Sequence, residues 1–244
     1  MPTPFLNRWL PGIALCSGLL LGTPATLAGD DFLAQAYKPD TLRQFSLDQT
    51  LTRLAPDADP RVLRLAARAL SCADPDAKRL AVIDFSLPST EPRLWVFDLQ
   101  RRRLLFEELV SHGQGSGNAM AETFSNVPES HQSSIGLFRT MNSYRGRNGY
   151  SLRLEGLEPG VNDLAYQRAI VIHGADYVSE AFIEQTGRLG RSHGCPAVRQ
   201  KVAAPLIDSI KEDQYLFTYY PDPEWLASSD FFHCDRDEAQ LALN

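Results

Sequence analysis

The sequence has no C-x-x-C pair, no H-E-x-x-H segment, and no Gly-Lys-Ser/Thr ending to its Gly-rich loop at residues 113–117. The first two absences remove the tight spacings by which zinc sites are usually read, and the third removes a phosphate-binding P-loop. There is no internal repeat, low-complexity linker or heptad pattern. Basic charge is in deficit, with 24 Lys and Arg against 30 Asp and Glu and a net charge of −6. An acidic chain argues against nucleic acid as the main partner, because neutralising phosphates needs a basic surface. Beyond the N-terminus no apolar run approaches a membrane span. No cofactor is expected.

Residues 1–28 read as a secretory signal. Met1 to Arg8 carries one positive charge, Trp9 to Leu21 is mostly apolar, and Gly22 to Ala28 supplies small residues suited to cleavage. The apolar stretch is shorter than the roughly 20 residues of a spanning helix, so no stable membrane insertion is expected after cleavage. Cys16 does not read as a lipidation site, because Leu15 stands where a small residue is wanted. Cleavage removes Arg8 and no acid, so the charge moves from −6 to −7. Export implies an oxidising compartment.

The mature chain keeps Cys72, Cys195 and Cys234. An oxidising compartment favours pairing, and an odd count leaves one thiol over. A Cys72–Cys234 bridge would leave Cys195 free for chemistry. The alternative is three unpaired thiols, with Cys72 buried on a helix.

The expected organisation is a helical segment at 29–79, a β-rich domain at 80–221 and a tail at 222–244. Asp59-Pro60 opens a helix, with Asp as cap and Pro at the first helical position. Val62, Leu63, Ala66, Ala69 and Leu70 follow at helical spacing. Strands are expected at 80–86, 93–98, 103–110, 135–140, 151–154, 168–173 and 214–220, and helices at 177–185 and 201–213. Turn residues between the first strands suggest a β-meander. Pro221 and Pro223 are expected to break structure, ahead of a marginally helical acidic tail. The fold class is mainly β with marginal helices (α+β), a β-sandwich or β-meander under an N-terminal helical layer.

The chemistry concentrates at Gly187 to Arg199. A cysteine nucleophile needs a proton acceptor within reach and donors for the oxyanion formed on the attacked carbonyl. Cys195 offers the thiol. Gly194 permits a tight turn that aims the amides of Gly194 and Cys195 at an oxyanion. His173 ends an apolar run and can be held rigidly, with a backbone carbonyl fixing its tautomer. Arg191 and Arg199 could grip a substrate carboxylate in a fork, and with Arg188 they would form a basic pocket around Cys195. His112, in the Gly-rich loop, either lines the site or belongs to a tight turn. Singly, each feature has an ordinary structural reading; it is their combination that points to a site.

Ser192-His193-Gly194-Cys195, with His173 upstream and Arg199 downstream, resembles the signature of the YkuD-type L,D-transpeptidases. Residues 84–90, 111–117, 124–126 and 187–192 resemble phrases of a subgroup of that family. The likeness runs from about residue 60 to about 220. It implies an envelope enzyme acting on peptidoglycan stem peptides, with Cys195 as nucleophile, His173 as general base and Gly194 among the oxyanion donors. Ser192 and His193 would shape the pocket, alongside Arg191, Arg199 and His112. Cys195 would form a thioester with a tetrapeptide stem, D-Ala would leave, and an amine would resolve the intermediate. Resolution by water would make the protein an L,D-carboxypeptidase. Eighteen residues separate His173 from Ser192, more than the commoner family spacing.

Three rivals remain. Papain-type peptidases and cell-wall amidases place Cys before His, the reverse of the order here. A zinc site could draw on His112, His173, His193 and Cys195. A non-catalytic envelope binding module could keep the same fold.

Overall fold

The computed structural model describes residues 45–234. The signal expected at residues 1–28, residues 29–44 and residues 235–244 lie outside them. The chain opens with helix α1 (Leu47–Leu54) and helix α2 (Pro60–Ala73). The α2 start follows its sequence: Pro60 needs no amide partner there, and the Asp59 side chain accepts from the Arg61 N–H. Nine strands then form a single sheet: β1 (Arg79–Asp84), β2 (Leu94–Asp98), β3 (Arg103–Glu108), β4 (Val110–Ser111), β5 (Gly136–Gly146), β6 (Gly149–Gly156), β7 (Val171–Ala175), β8 (Ala197–Arg199) and β9 (Tyr215–Tyr219). Helix α3 (Glu180–Thr186) follows β7, α4 (Gln200–Ile210) follows β8, and α5 (Pro223–Ser228) follows β9.

The strand order is β3-β2-β1-β9-β5-β6-β7-β8-β4. Strands β1 to β3 are the expected meander, whereas β9 returns to lie parallel beside β1. The central strands carry apolar residues at consecutive positions because both sheet faces are covered. Leu80 and Val82 of β1, Trp95 and Phe97 of β2, Leu137 of β5 and Phe217 of β9 join Leu63, Ala66 and Leu70 of α2 in one core. Their neighbours Ala81, Ile83, Val96, Phe138 and Leu216 face the other way and meet Leu206, Ile207 and Ile210 of α4.

The 103–110 run is two strands. It breaks at Leu109, and β3 and β4 occupy opposite edges of the sheet. One residue spans only a few ångströms, so the two edges meet and the sheet curls almost into a barrel. The Arg93 side chain seals this join from within, its Nε and Nη2 donating to the Val110 carbonyl.

Other boundaries shift for local reasons. The strand expected from Arg168 begins at Val171, because Ala169 adopts a left-handed φ of 55°. The helix expected to reach Asp213 stops at Ile210, and Glu212 and Asp213 both take positive φ. Pro223 does not break structure. It starts α5 behind the Asp222 cap, where its missing N–H costs nothing. A disulfide joins Cys72 on α2 to Cys234. No helix of the described residues is long and apolar enough to cross a membrane.

Candidate active site

The site lies at the seam between β7 and β8. Strand β7 is held on both sides: His173 pairs with Ser151 of β6 and, in parallel register, with Ala197 of β8. This pins the His173 backbone and leaves the residue only 5% exposed. Nδ1 lies 3.0 Å from the Gly174 carbonyl. Since a carbonyl only accepts, Nδ1 carries the proton and Nε2 presents a lone pair. Burial lowers the His173 pKa, so the ring is neutral at neutral pH.

Cys195 sits two residues before Ala197, at the end of a tightly tied turn. The Ser192 hydroxyl accepts from the Gly194 N–H at 3.1 Å and donates to the Cys195 carbonyl at 2.6 Å. The turn docks on the Gly-rich loop: Ser192 N–H donates to the His112 carbonyl, and Gln114 N–H donates to the Ser192 carbonyl. Gly194 has φ 113°, which a side chain would resist, and a Cβ there would lie 2.8 Å from the Gln132 carbonyl. Gly113 abuts it so closely that an added Cβ would meet the Gly194 nitrogen at 2.8 Å. The Ser133 hydroxyl ties these layers, accepting from Gly113 N–H and donating to the Gly194 carbonyl.

The thiol points at β7 and the turn before it. Sγ accepts from the Val171 N–H at 3.5 Å and donates to the Ala169 carbonyl at 3.7 Å. Val171 opens β7 and His173 lies two residues on, so the thiol meets the backbone of the strand that carries the imidazole. Burial raises the Cys195 pKa, against the opposing pull of the Val171 N–H and the Arg168 charge. The pair thus rests as thiol and neutral imidazole. Cys195 is the free cysteine among the described residues.

The other expected site residues are placed differently. The Gly194 N–H is engaged by Ser192, so it is not an idle oxyanion donor. His193 is exposed and stacks on His131, the ring centroids 4.3 Å apart. His112 is fully buried, its Nδ1 2.8 Å from Arg93 Nη2, so it braces the loop rather than lining a pocket. Burial and the Arg93 charge hold its pKa down to about 4. Among the described residues, His112, His173, His193 and Cys195 do not form a group that could hold a metal ion.

The arginines expected to form a fork are each bonded within the protein. Arg191 donates to the Gly117 carbonyl and Asn118 Oδ1, clamping the loop. Arg199 is paired with Glu108 and Glu180, so it grips the protein's own carboxylates. Arg188 donates to the Leu189 carbonyl. The cation that acts on Cys195 is instead Arg168, which the sequence reading passed over. Tyr177 was missed as well. Its ring fills the space that a Gly190 Cβ would need, and burial, then the nearby thiol, pushes its hydroxyl up to about 12. A cleft of about 460 Å³, walled by Phe124, Tyr220 and Trp225, includes Ser125, whose carbonyl accepts from Arg168. Cys195 and His173 do not line that cleft.

No curated protein matches the chain. Among solved structures it is similar to an L,D-transpeptidase from Mycobacterium smegmatis, at 13% identity over 59% of each chain with a TM-score of 0.37. It is similar to L,D-transpeptidase 1 from Mycobacterium tuberculosis at 16% identity, over 59% of this chain and 62% of that one, TM-score 0.33. It is also similar to the helical cell shape determining protein Pgp2 from Campylobacter jejuni at 12% identity, over 60% and 49%, TM-score 0.40. The match thus spans less than two thirds of these proteins' length. The assignment rests on the family profile for the L,D-transpeptidase catalytic domain (YkuD_2), which matches residues 54–219 and so takes in the sheet, the Gly-rich loop, His173 and Cys195. The chain belongs to the L,D-transpeptidase catalytic domain family.

Proposed function

We propose that this protein is a cysteine acyltransferase of the cell envelope that acts on peptidoglycan stem peptides. The observation that carries the reading is the seating of Cys195 Sγ against the Val171 N–H, on the strand that carries His173, with the His173 Nδ1 proton committed to the Gly174 carbonyl. That tautomer leaves Nε2 as the base. As Sγ attacks the carbonyl of the third stem residue, Nε2 takes the thiol proton and an Sγ–C bond forms. The proton then passes to the nitrogen of D-Ala, the C–N bond breaks, and D-Ala leaves as a free amino acid. An amine resolves the thioester; water in its place gives a trimmed tripeptide.

With the Gly194 amide held by Ser192, the Cys195 N–H is the oxyanion donor in this reading. Ser192 acts through the turn it ties. Export by residues 1–28 fits the Cys72–Cys234 bridge, since structural disulfides persist in oxidising compartments.

The test is intact-protein mass spectrometry after incubation with a disaccharide-tetrapeptide. A mass increase equal to the stem less D-Ala, absent in Cys195→Ala, is expected. His173→Ala should slow its formation by about 100-fold or more, the scale of a lost general base. Full turnover by Cys195→Ala would sink the proposal. The products separate the acceptors: cross-linked dimers indicate an amine, and free tripeptide indicates water.

A further inference from the structure

The cleft of about 460 Å³ has walls whose chemistry the acyl-transfer reading does not use. One wall is the 122–126 segment, and another runs from Tyr220 into α5. The Phe124 and Tyr220 rings stand 4.7 Å apart at their centroids and are tilted by 43°, so they make a V rather than a flat platform. Trp225 lines the same space.

The charged residues of the lining are all acids. Glu122 stands on one wall and Asp222 and Glu224 on the other, and no Lys, Arg or His joins them. Glu122 and Glu224 are exposed, and their carboxylates make no ion pair or hydrogen bond among the described residues. Asp222 accepts from the Trp225 N–H at Oδ1 as the cap of α5, which leaves Oδ2 free. Behind the Trp225 ring, Glu158 is 4% exposed and accepts from the Trp225 indole, the Leu137 N–H and the Ser229 hydroxyl, all of them neutral. Like charges gathered around one space repel each other, and a cation placed among them removes that repulsion. The aromatic faces favour the same occupant, because a ring quadrupole attracts a cation. A neutral sugar would leave the carboxylates uncompensated, and the tilted rings offer it no flat face.

We propose that the cleft binds a basic segment of a partner peptide, with a lysine or arginine side chain against the aromatic walls and its charge met by Glu122, Asp222 and Glu224. Two features favour a peptide over a lone amine. The volume lies within the range of about 300–1,000 Å³ that encloses a ligand much larger than one amine. The Tyr220 and Ser228 hydroxyls, also in the lining, make no hydrogen bond among the described residues, so they are free to donate to backbone carbonyls. The Ser125 N–H donates to the Ser133 carbonyl, and the Ser133 hydroxyl holds both Gly113 and Gly194. One wall of the cleft is thus two hydrogen-bonded steps, about 10 Å, from the turn that carries Cys195. A partner seated there is held near the reaction centre, although its binding does not depend on the acyl-transfer reading.

The experiment is NMR of the isotopically labelled full chain, titrated with four probes. These are an end-blocked tetralysine peptide, the same peptide acetylated at every Nζ, spermidine, and a neutral disaccharide of N-acetylglucosamine. Tetralysine should shift the Trp225 indole N–H and the amides of 122–126 and 220–228, and added salt should weaken it. The acetylated peptide and the disaccharide should leave those signals in place. Glu122→Gln/Glu224→Gln should weaken tetralysine binding by about 3- to 10-fold, the scale of two exposed charge contacts. Tyr220→Ala should weaken it by about 2- to 5-fold, the scale of an exposed cation–π contact. Equal shifts with the acetylated peptide would reduce the site to apolar contact, and shifts with the disaccharide alone would make it a sugar site; either overturns the proposal. So would spermidine binding more tightly than the peptide, which would assign the cleft to a free amine. Shifts confined to other surfaces, or a wild type that does not respond to tetralysine, would overturn it as well. These comparisons need the wild type alone, so they decide the matter even where Tyr220→Ala fails to fold. None of them involves catalysis, so their failure leaves the acyl-transfer reading standing, and a failure of acylation leaves the cleft assignment intact.

Discussion

Cys195 and His173 rest as a neutral pair, and the reason is burial acting on both in the same sense. Desolvation disfavours any charged form, raising a thiol and lowering an imidazole. A thiol with a raised pKa becomes thiolate only above the ordinary range near 8.5. Alkylation of Cys195 by iodoacetamide should therefore climb steadily with pH and reach half its maximum above that value. A plateau of reactivity at about pH 5–7, the mark of a preformed thiolate–imidazolium pair, would contradict it. The Cys–His pair could be found from sequence because glycine-flanked Cys and a His ending an apolar run are local signs. Arg168 could not, because its meaning comes from acceptors 34 to 43 residues away and from the backbone turn at Ala169. Arg199 misled for the converse reason: nothing local to it announces Glu108, 91 residues upstream.

Among the elements, the join between the sheet edges does the most to place the site. Strand β8, which follows Cys195, pairs with β7 on one side and with the two-residue β4 on the other. Arg199 at the end of β8, the strand next to edge strand β4, reaches Glu108 at the end of edge strand β3, so one ion pair bridges the join of the curled sheet. Glu108 is only 7% exposed at its side chain and Arg199 22%. Arg199→Ala leaves a buried carboxylate without its partner, at a cost of about 2 kcal/mol, between the values for exposed and fully buried pairs. Urea unfolding should show the midpoint falling with an unchanged slope. A change within a few tenths of a kcal/mol would mean that the pair does not hold the edges together. The strands themselves were legible from apolar runs and turn residues, mostly to within a few positions. Their order was not, since an unbroken run through Leu109 gives no sign that its halves belong to opposite edges. The parallel β1–β9 pairing likewise joins residues more than a hundred positions apart.

For the molecule as a whole, the covalent tie and the chemical site are separated by the sheet. The disulfide links Cys72 to Cys234 across 162 residues and fastens the C-terminal turn onto α2. Beneath it Trp225 and Phe232 pack edge-on against each other and both contact Phe217, while the buried Glu158 accepts from Trp225 Nε1 and the Ser229 hydroxyl. All of this belongs to the core on the α2 face, whereas Ile170, Ile172 and Val198, around the thiol, belong to the core on the α4 face. The expected export signal and an odd cysteine count made this pairing readable; the helical layer it secures was readable from the capped, amphipathic run at 60–73. A bridge closing so long a loop contributes about 2–5 kcal/mol by restricting the unfolded chain. In a protein of this size that corresponds to about 5–15 °C in Tm. The Cys72→Ser/Cys234→Ser double variant should therefore melt lower by that amount, while acyl-enzyme formation at 25 °C stays within about twofold of wild type. Calorimetry and the mass-spectrometric acylation assay measure the two quantities on one sample. A variant that keeps its Tm would show that the α2 face holds through packing alone. One that loses acylation while still folded would show that the two faces of the sheet are coupled.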